Sequence, residues 1–213
     1  MDRPLWKIVW YELLRRVVQL TAVLFYRVRH YGVRRIPASG GVLVVSNHQS
    51  HFDPPLVGMA SPRRMNYLAR ETLFRFGPFR WLIQSLDAIP IDREGLGLNG
   101  IKESLRRLKR GEMVLIFPEG TRTPDGRIQP FRPGFTTLAV RSGAAILPVA
   151  IDGAFEVWPR RRRLPHLGGD IRVLYGEPIE PQQAAAMDER ALLAEVERRV
   201  RRCHEELCRL KDC

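Results

Sequence analysis

Apolar residues are spaced in two ways along this chain. In "LWKIVWYELLRRVVQLTAVLFYRVRHYGV", starting at Leu5, the residues Trp6, Trp10, Leu13, Val17, Leu20 and Leu24 return at steps of four and three. That is the spacing of one helix face. Glu12, Arg15, Arg16 and Gln19 gather on the opposite face. The longest uncharged run, Val17 to Tyr26, is too short to span a bilayer, which takes about 20 apolar residues. No small-residue cleavage site follows it, so it is not a secretory signal. Such a stripe either packs on its own domain or lies in a membrane interface, with tryptophans at headgroup level and arginines at lipid phosphates. The tryptophan pair, with Arg15, Arg16, Arg27 and Arg29, favours the interface. Residues 1–30 are therefore read as an amphipathic, membrane-interface helical segment, and residues 31–213 as the folded domain.

Beyond it the apolar residues come in short unbroken runs. "GVLVVSN" (41–47), "MNYLAR" (65–70), "DAIPI" (87–91), "EMVLIFP" (112–118), "AAILPVAI" (144–151) and "DIRVLYG" (170–176) read as strands. Helical patterns fall between them: about 71–86, then "GLNGIKESLRRLKRG" (97–111) ending at Gly111, then 133–142 with a proline in its first turn. Leu192, Val196, Val200, Cys203, Leu207 and Leu210 mark an amphipathic C-terminal helix. Strands alternating with helices predict a single layered α/β domain with a mostly parallel central sheet flanked by helices. Runs apolar throughout are those of a sheet covered on both faces. No internal repeat is present.

Composition narrows the partners. The 213 residues carry a net charge of +12, with 35 Lys+Arg against 23 Asp+Glu. Such a balance favours a polyanionic neighbour: nucleic acid, an anionic membrane surface or an acidic substrate. An arginine-rich proteome would raise the same count without any function. "WPRRRRLPHLGG" (158–169) is the one basic loop bounded by Pro and Gly; most such runs are simply solvated, and a phosphate-binding or membrane-facing role is the minority reading. No aromatic–basic surface pattern supports nucleic acid. Cys203, Cys208 and Cys213 lie five apart in a helical stretch, which does not align them on one face. They form neither a disulfide framework nor a zinc site, and no other metal-ligand set is evident.

Chemistry concentrates at strand ends, where open α/β sheets bind ligands. The first end reads "SNHQSHFDPP" (46–55). A histidine is a general base near neutral pH when a carboxylate fixes its tautomer. Asp53 can reach His48 across a loop-to-helix turn, with Asp53 at the helix cap and Pro54 in the first turn. His51 and Asp53 are a competing pair. A second end reads "IPIDREG" (89–95), a third "IFPEGTRTPDG" (116–126) followed by "PFRPG" (130–134), and a fourth "ILPVAID" (146–152). Glu119 and Arg122 bracket Gly120 and Thr121, where a backbone can approach a ligand closely. Arg93, Arg122 and Arg132 offer forked donors suited to phosphate.

In sequence order, these blocks resemble a known family. "NHQSHFD" resembles the NHxxxxD block of the glycerolipid acyltransferases, the group containing the 1-acylglycerol-3-phosphate acyltransferases. "FPEGTR" (117–122) is similar to its second hallmark, "IPIDR" (89–93) to its intermediate block, "FRPG" (131–134) to its FKxG-like segment with Arg132 where lysine is usual, and "ILPVAI" (146–151) to its proline-bearing strand. The likeness covers about residues 41–151 and singles out His48 over His51. It implies that His48 is the general base and Asp53 its orienting partner. Arg93, Glu119, Gly120, Thr121, Arg122 and Arg132 would hold the acceptor. The implied reaction moves an acyl group from acyl-CoA or acyl-carrier protein, a co-substrate and not a cofactor, to 1-acyl-glycerol-3-phosphate, giving phosphatidic acid. Alternatives are another lysophospholipid or glycerol-3-phosphate as acceptor, or a non-catalytic lipid-binding protein. The implied location is the cytoplasmic face of the cell membrane, peripheral or monotopic, with no cofactor, metal or nucleic acid.

Overall fold

The computed structural model describes residues 4–70, 77–91 and 97–211. Helix α1 (Leu5–Phe25) opens the chain and strand β1 (Arg27–Tyr31) follows it. Then come β2 (Val42–Ser46), α2 (Asp53–Met59), β3 (Met65–Arg70), α3 (Gly77–Ser85), β4 (Ile89–Ile91) and α4 (Gly97–Lys109). The second half holds β5 (Met113–Ile116), α5 (Phe135–Ser142), β6 (Ala145–Asp152), α6 (Ala154–Val157), β7 (Asp170–Tyr175), α7 (Pro181–Ala185) and α8 (Glu189–Arg209).

The strands form one seven-stranded sheet in the order β1-β7-β6-β2-β5-β3-β4. All neighbouring pairs are parallel except β6 with β7. β2 is entirely buried, and its side chains alternate between two cores. Val42 and Val44 join Leu115, Leu147, Val149 and α2 residues Leu56 and Val57. Leu43 and Val45 join Val114, Ile146, Leu138 of α5 and Leu192, Val196 and Val200 of α8. Helices therefore cover both faces, which is why these strands are apolar throughout instead of alternating. The α/β architecture is as the pattern predicts.

The N-terminal segment departs from expectation in two ways. α1 ends at Phe25, and residues 27–31, of which 27–30 were expected to continue the helical segment, form an edge strand paired with β7. Arg27 and Arg29 are exposed while Val28 is half-buried; that is the period of two that belongs to a strand. The second departure is orientation. Polar side chains dock α1 on the domain: Trp10 Nε1 donates to Ser85 Oγ (2.8 Å), Gln19 Nε2 to the Met59 carbonyl (2.7 Å) and Arg15 Nη1 to the Ser61 carbonyl (3.1 Å). Lys7 pairs with Asp87. Only Tyr11 and Ala22 of this helix are buried. Leu5, Val9, Leu13, Val17, Leu20, Val23 and Leu24 all face outward. Arg15, expected at lipid phosphates, instead bonds inward and to Glu12. No helix among the described residues is long and apolar enough to cross a membrane.

Candidate active site

β2 lies between β5 and β6, so three strand ends sit side by side on one edge of the sheet. At the end of β2, the Asn47 side chain continues the ladder to β6. Its Nδ2 donates to the Ile151 carbonyl (2.9 Å) and its Oδ1 accepts from the Ile151 N–H (2.8 Å). This fixes where the chain leaves the sheet. His48 follows, and the turn after β5 clamps its backbone. The His48 N–H donates to Glu119 Oε1 (2.8 Å), and its carbonyl accepts from the Thr123 N–H (2.8 Å). The imidazole stacks on Phe117, with ring centroids 4.0 Å apart and planes 14° from parallel. Backbone and ring are thus both held before any ligand arrives.

His48 Nδ1 lies 2.7 Å from Asp53 Oδ2. The same oxygen accepts the N–H groups of Gln49 (2.6 Å) and Ser50 (2.7 Å), and Asp53 is fully buried. Asp53 was expected to cap α2. Instead Phe52 holds the N-cap position and Asp53 begins the helix. Pro54 and Pro55 have no N–H to offer a cap, so the carboxylate turns back to the loop before it. Because Oδ2 is acceptor to all three groups, His48 Nδ1 carries the hydrogen. Nε2 is left as the lone-pair nitrogen, with no hydrogen-bond partner among the described residues. A histidine so arranged can take a proton from a substrate hydroxyl.

The turn after β5 supplies the second wall. Glu119 is buried, and its Oε2 accepts the Gln129 N–H (3.2 Å). Burial pushes its ionisation up to about 7, against the opposing pull of the His48 and Gln129 N–H bonds. Gly120 has φ +72°, and the Arg132 guanidinium lies 3.3 Å from where a β-carbon there would sit. The left-handed backbone favours glycine here, and the absence of a side chain lets the arginine pack over the turn. Thr121 Oγ1 accepts from Arg160 Nη1 (3.1 Å). His51 rests on Trp158 with ring centroids 4.7 Å apart. Desolvation, then the charges of Arg122 and His48, lower its ionisation to about 4. Arg93 lies outside the described residues.

The fold thus gathers His48, Asp53, Glu119, Gly120, Thr121, Arg122 and Arg132 on one edge. It adds Asn47, Phe117, Gln129, Trp158 and Arg160, which the sequence reading left without a role. Phe117 lies inside the FPEGTR block and Asn47 inside the NHQSHFD block, and Arg160 in the basic loop. Nothing local marked Gln129.

Residues 27–152, more than half of the chain, match the family model described as Acyltransferase. The chain belongs to the Acyltransferase family. The match runs from β1 through β6 and contains every gathered residue up to Arg132. This Acyltransferase member is similar to the 1-acyl-sn-glycerol-3-phosphate acyltransferase of Pseudomonas aeruginosa, at 33% identity over 85% of this chain and 72% of that protein. It is 28% identical to the chloroplastic 1-acyl-sn-glycerol-3-phosphate acyltransferase LPAT1 of Arabidopsis thaliana over 75% of this chain. There it spans about half the relative's length (46%). Among solved structures, the 1-acyl-sn-glycerophosphate acyltransferase PlsC of Thermotoga maritima matches with a TM-score of 0.83 and 28% identity. That match covers 97% of this chain and 83% of the other.

Proposed function

We propose that this protein transfers an acyl group from acyl-CoA or acyl-carrier protein to the free hydroxyl of 1-acyl-glycerol-3-phosphate, giving phosphatidic acid. The observation that carries the reading is the 2.7 Å contact of His48 Nδ1 with the buried Asp53, set beside an arginine-lined glycine turn. His48 Nε2 removes the hydroxyl proton as the oxygen attacks the thioester carbonyl. Asp53 stabilises the imidazolium that forms. Collapse of the tetrahedral intermediate breaks the C–S bond, and the proton on His48 passes to the departing thiolate. A thiol ionises near 8.5, so that leaving group needs little help and no covalent enzyme intermediate is required. Arg93, Arg122 and Arg132, with Gly120 and Thr121, hold the acceptor phosphate, and Glu119 sets the position of His48. The chemistry calls on no cofactor.

α1 is the membrane-interface element and the rest of the chain the acyl-transfer unit. The outward apolar face of α1 supports a peripheral or monotopic place at a membrane, which in this reading is the cytoplasmic face of the cell membrane.

The test is a panel of labelled acyl-CoA and acyl-carrier protein against several lysophospholipids and glycerol-3-phosphate, with His48→Ala as the blank. Transfer to 1-acyl-glycerol-3-phosphate above that blank is expected. No transfer to any acceptor overturns the reading.

A further inference from the structure

The loop 158–169 between α6 and β7 touches the candidate site only at its first residues, Trp158 and Arg160. It carries Arg160–Arg163 in succession, with no acidic residue between Glu156 and Asp170. All four arginines are exposed, and so are Leu164 (76%) and Leu167 (70%). The guanidinium groups of Arg161, Arg162 and Arg163 make no hydrogen bond or ion pair among the described residues. Yet the backbone of the loop is tied down. Trp158 Nε1 donates to the Arg162 carbonyl (3.0 Å), and the His166 N–H to the Val157 carbonyl (2.8 Å). The Gly168 N–H donates to the Phe25 carbonyl (3.1 Å), and the Arg27 N–H to the Gly169 carbonyl (2.9 Å). These last bonds join the loop to the end of α1, where Val23, Leu24 and Phe25 are also exposed. At its other end, Arg160 reaches Thr121 and Trp158 supports His51.

We propose that this loop is a second membrane-docking lip, whose partner is an anionic phospholipid leaflet. Leu164 and Leu167 enter the boundary between headgroups and acyl chains beside the end of α1, and Arg161–Arg163 hold lipid phosphates. The catalytic turn is thereby presented to acceptor lipid still in the leaflet. Charge and apolarity together choose the partner. An acidic carrier protein would match the arginines but leave the leucines uncovered, whereas an anionic leaflet satisfies both. The role of the lip in turnover rests on the acyl-transfer reading above; its membrane binding does not.

The experiment uses the full chain and two variants, the triple Arg161→Gln/Arg162→Gln/Arg163→Gln and the double Leu164→Ser/Leu167→Ser. Binding is titrated on vesicles of phosphatidylcholine alone and of phosphatidylcholine with phosphatidylglycerol. Each arginine at an anionic leaflet strengthens binding about fivefold, so the triple variant loses about a hundredfold on anionic vesicles and little on neutral ones. Its binding also depends less on salt. The double variant weakens on both kinds of vesicle. With either acyl-CoA or acyl-carrier protein as donor and a short-chain, water-soluble acceptor, both variants keep wild-type turnover; with acceptor in anionic vesicles, turnover falls with binding. Wild-type affinity of the triple variant for anionic vesicles overturns the proposal. So does equal loss on the soluble acceptor, or loss confined to acyl-carrier protein as donor, which would make the loop a protein dock. If the wild-type chain transfers no acyl group to any acceptor, the acyl-transfer reading fails while the vesicle titrations still decide the lip.

Discussion

Replacing Glu119 by glutamine separates the effect of a buried charge from that of a buried acceptor. Glu119 is 3% exposed, and it ionises at about 7 in the folded chain against an ordinary value of 4.5. Between those two values the folded chain keeps a proton that the unfolded chain has released. Stability therefore falls as pH rises, at about 1.4 kcal/mol per pH unit. The contribution is fully present below about pH 4.5 and gone above about pH 7, a loss of about 3 kcal/mol in all. Glutamine has no proton to lose. It is close in shape and hydrogen bonding to the protonated acid, so both proteins meet the two N–H donors of His48 and Gln129 with one good acceptor. The difference in unfolding free energy, wild type minus Glu119→Gln, should start near zero at about pH 4 and reach about −3 kcal/mol near pH 8. Titrating histidines elsewhere are common to both proteins and cancel. Urea unfolding followed by tryptophan fluorescence, in detergent and at several pH values, reads this difference. The variant should be the more stable protein on the alkaline side, yet turn over more slowly, because His48 loses a charged anchor for its backbone. A difference that stays flat with pH, or one of opposite slope, would refute the reasoning.

Asn47→Ala removes both side-chain bonds to Ile151 and leaves two buried backbone groups unanswered, so unfolding free energy should drop by about 2–4 kcal/mol. His48→Ala should abolish acyl transfer while His51→Ala keeps much of it. His51 already ionises at about 4, so the pH–rate profile of His51→Ala should overlay that of the wild type above about pH 6. Changing Leu13, Val17 and Leu20 together to serine leaves the docked face of α1 intact, and should release the protein from vesicles in a flotation assay without lowering its melting temperature.

The sheet was legible because burial on both faces leaves its mark locally: the unbroken run Val42–Val45 and the longer run at 145–151 admit few other readings. The His48–Asp53 contact was legible for a similar reason, since five residues and one turn connect them. Glu119 was named, but its use was not, because the bond to the His48 N–H depends on β2 and β5 being neighbours. Asn47, Trp158 and Arg160 act across comparable distances, through β6 and the loop that follows it. β1 was hidden by its two exposed arginines and its place directly after a helix. The short α6 and α7 fall below the length at which a helical period can be recognised. For α1, a stripe of leucines defines a face but says nothing of the medium that face meets.

That inverted helix has a consequence for which residues can change. In an ordinary surface helix the apolar positions are the constrained ones and the polar positions drift. Along α1 the constrained positions should be Trp10, Tyr11, Arg15, Gln19 and Ala22, each with a particular atom or wall to meet. Leu13, Val17, Leu20 and Leu24 are exposed and meet no particular partner among the described residues, so isoleucine, methionine or phenylalanine should serve as well at any of them. A saturation survey of this helix would read upside down, with tolerance of exchange highest among its greasiest residues and lowest among its hydrogen-bonding ones.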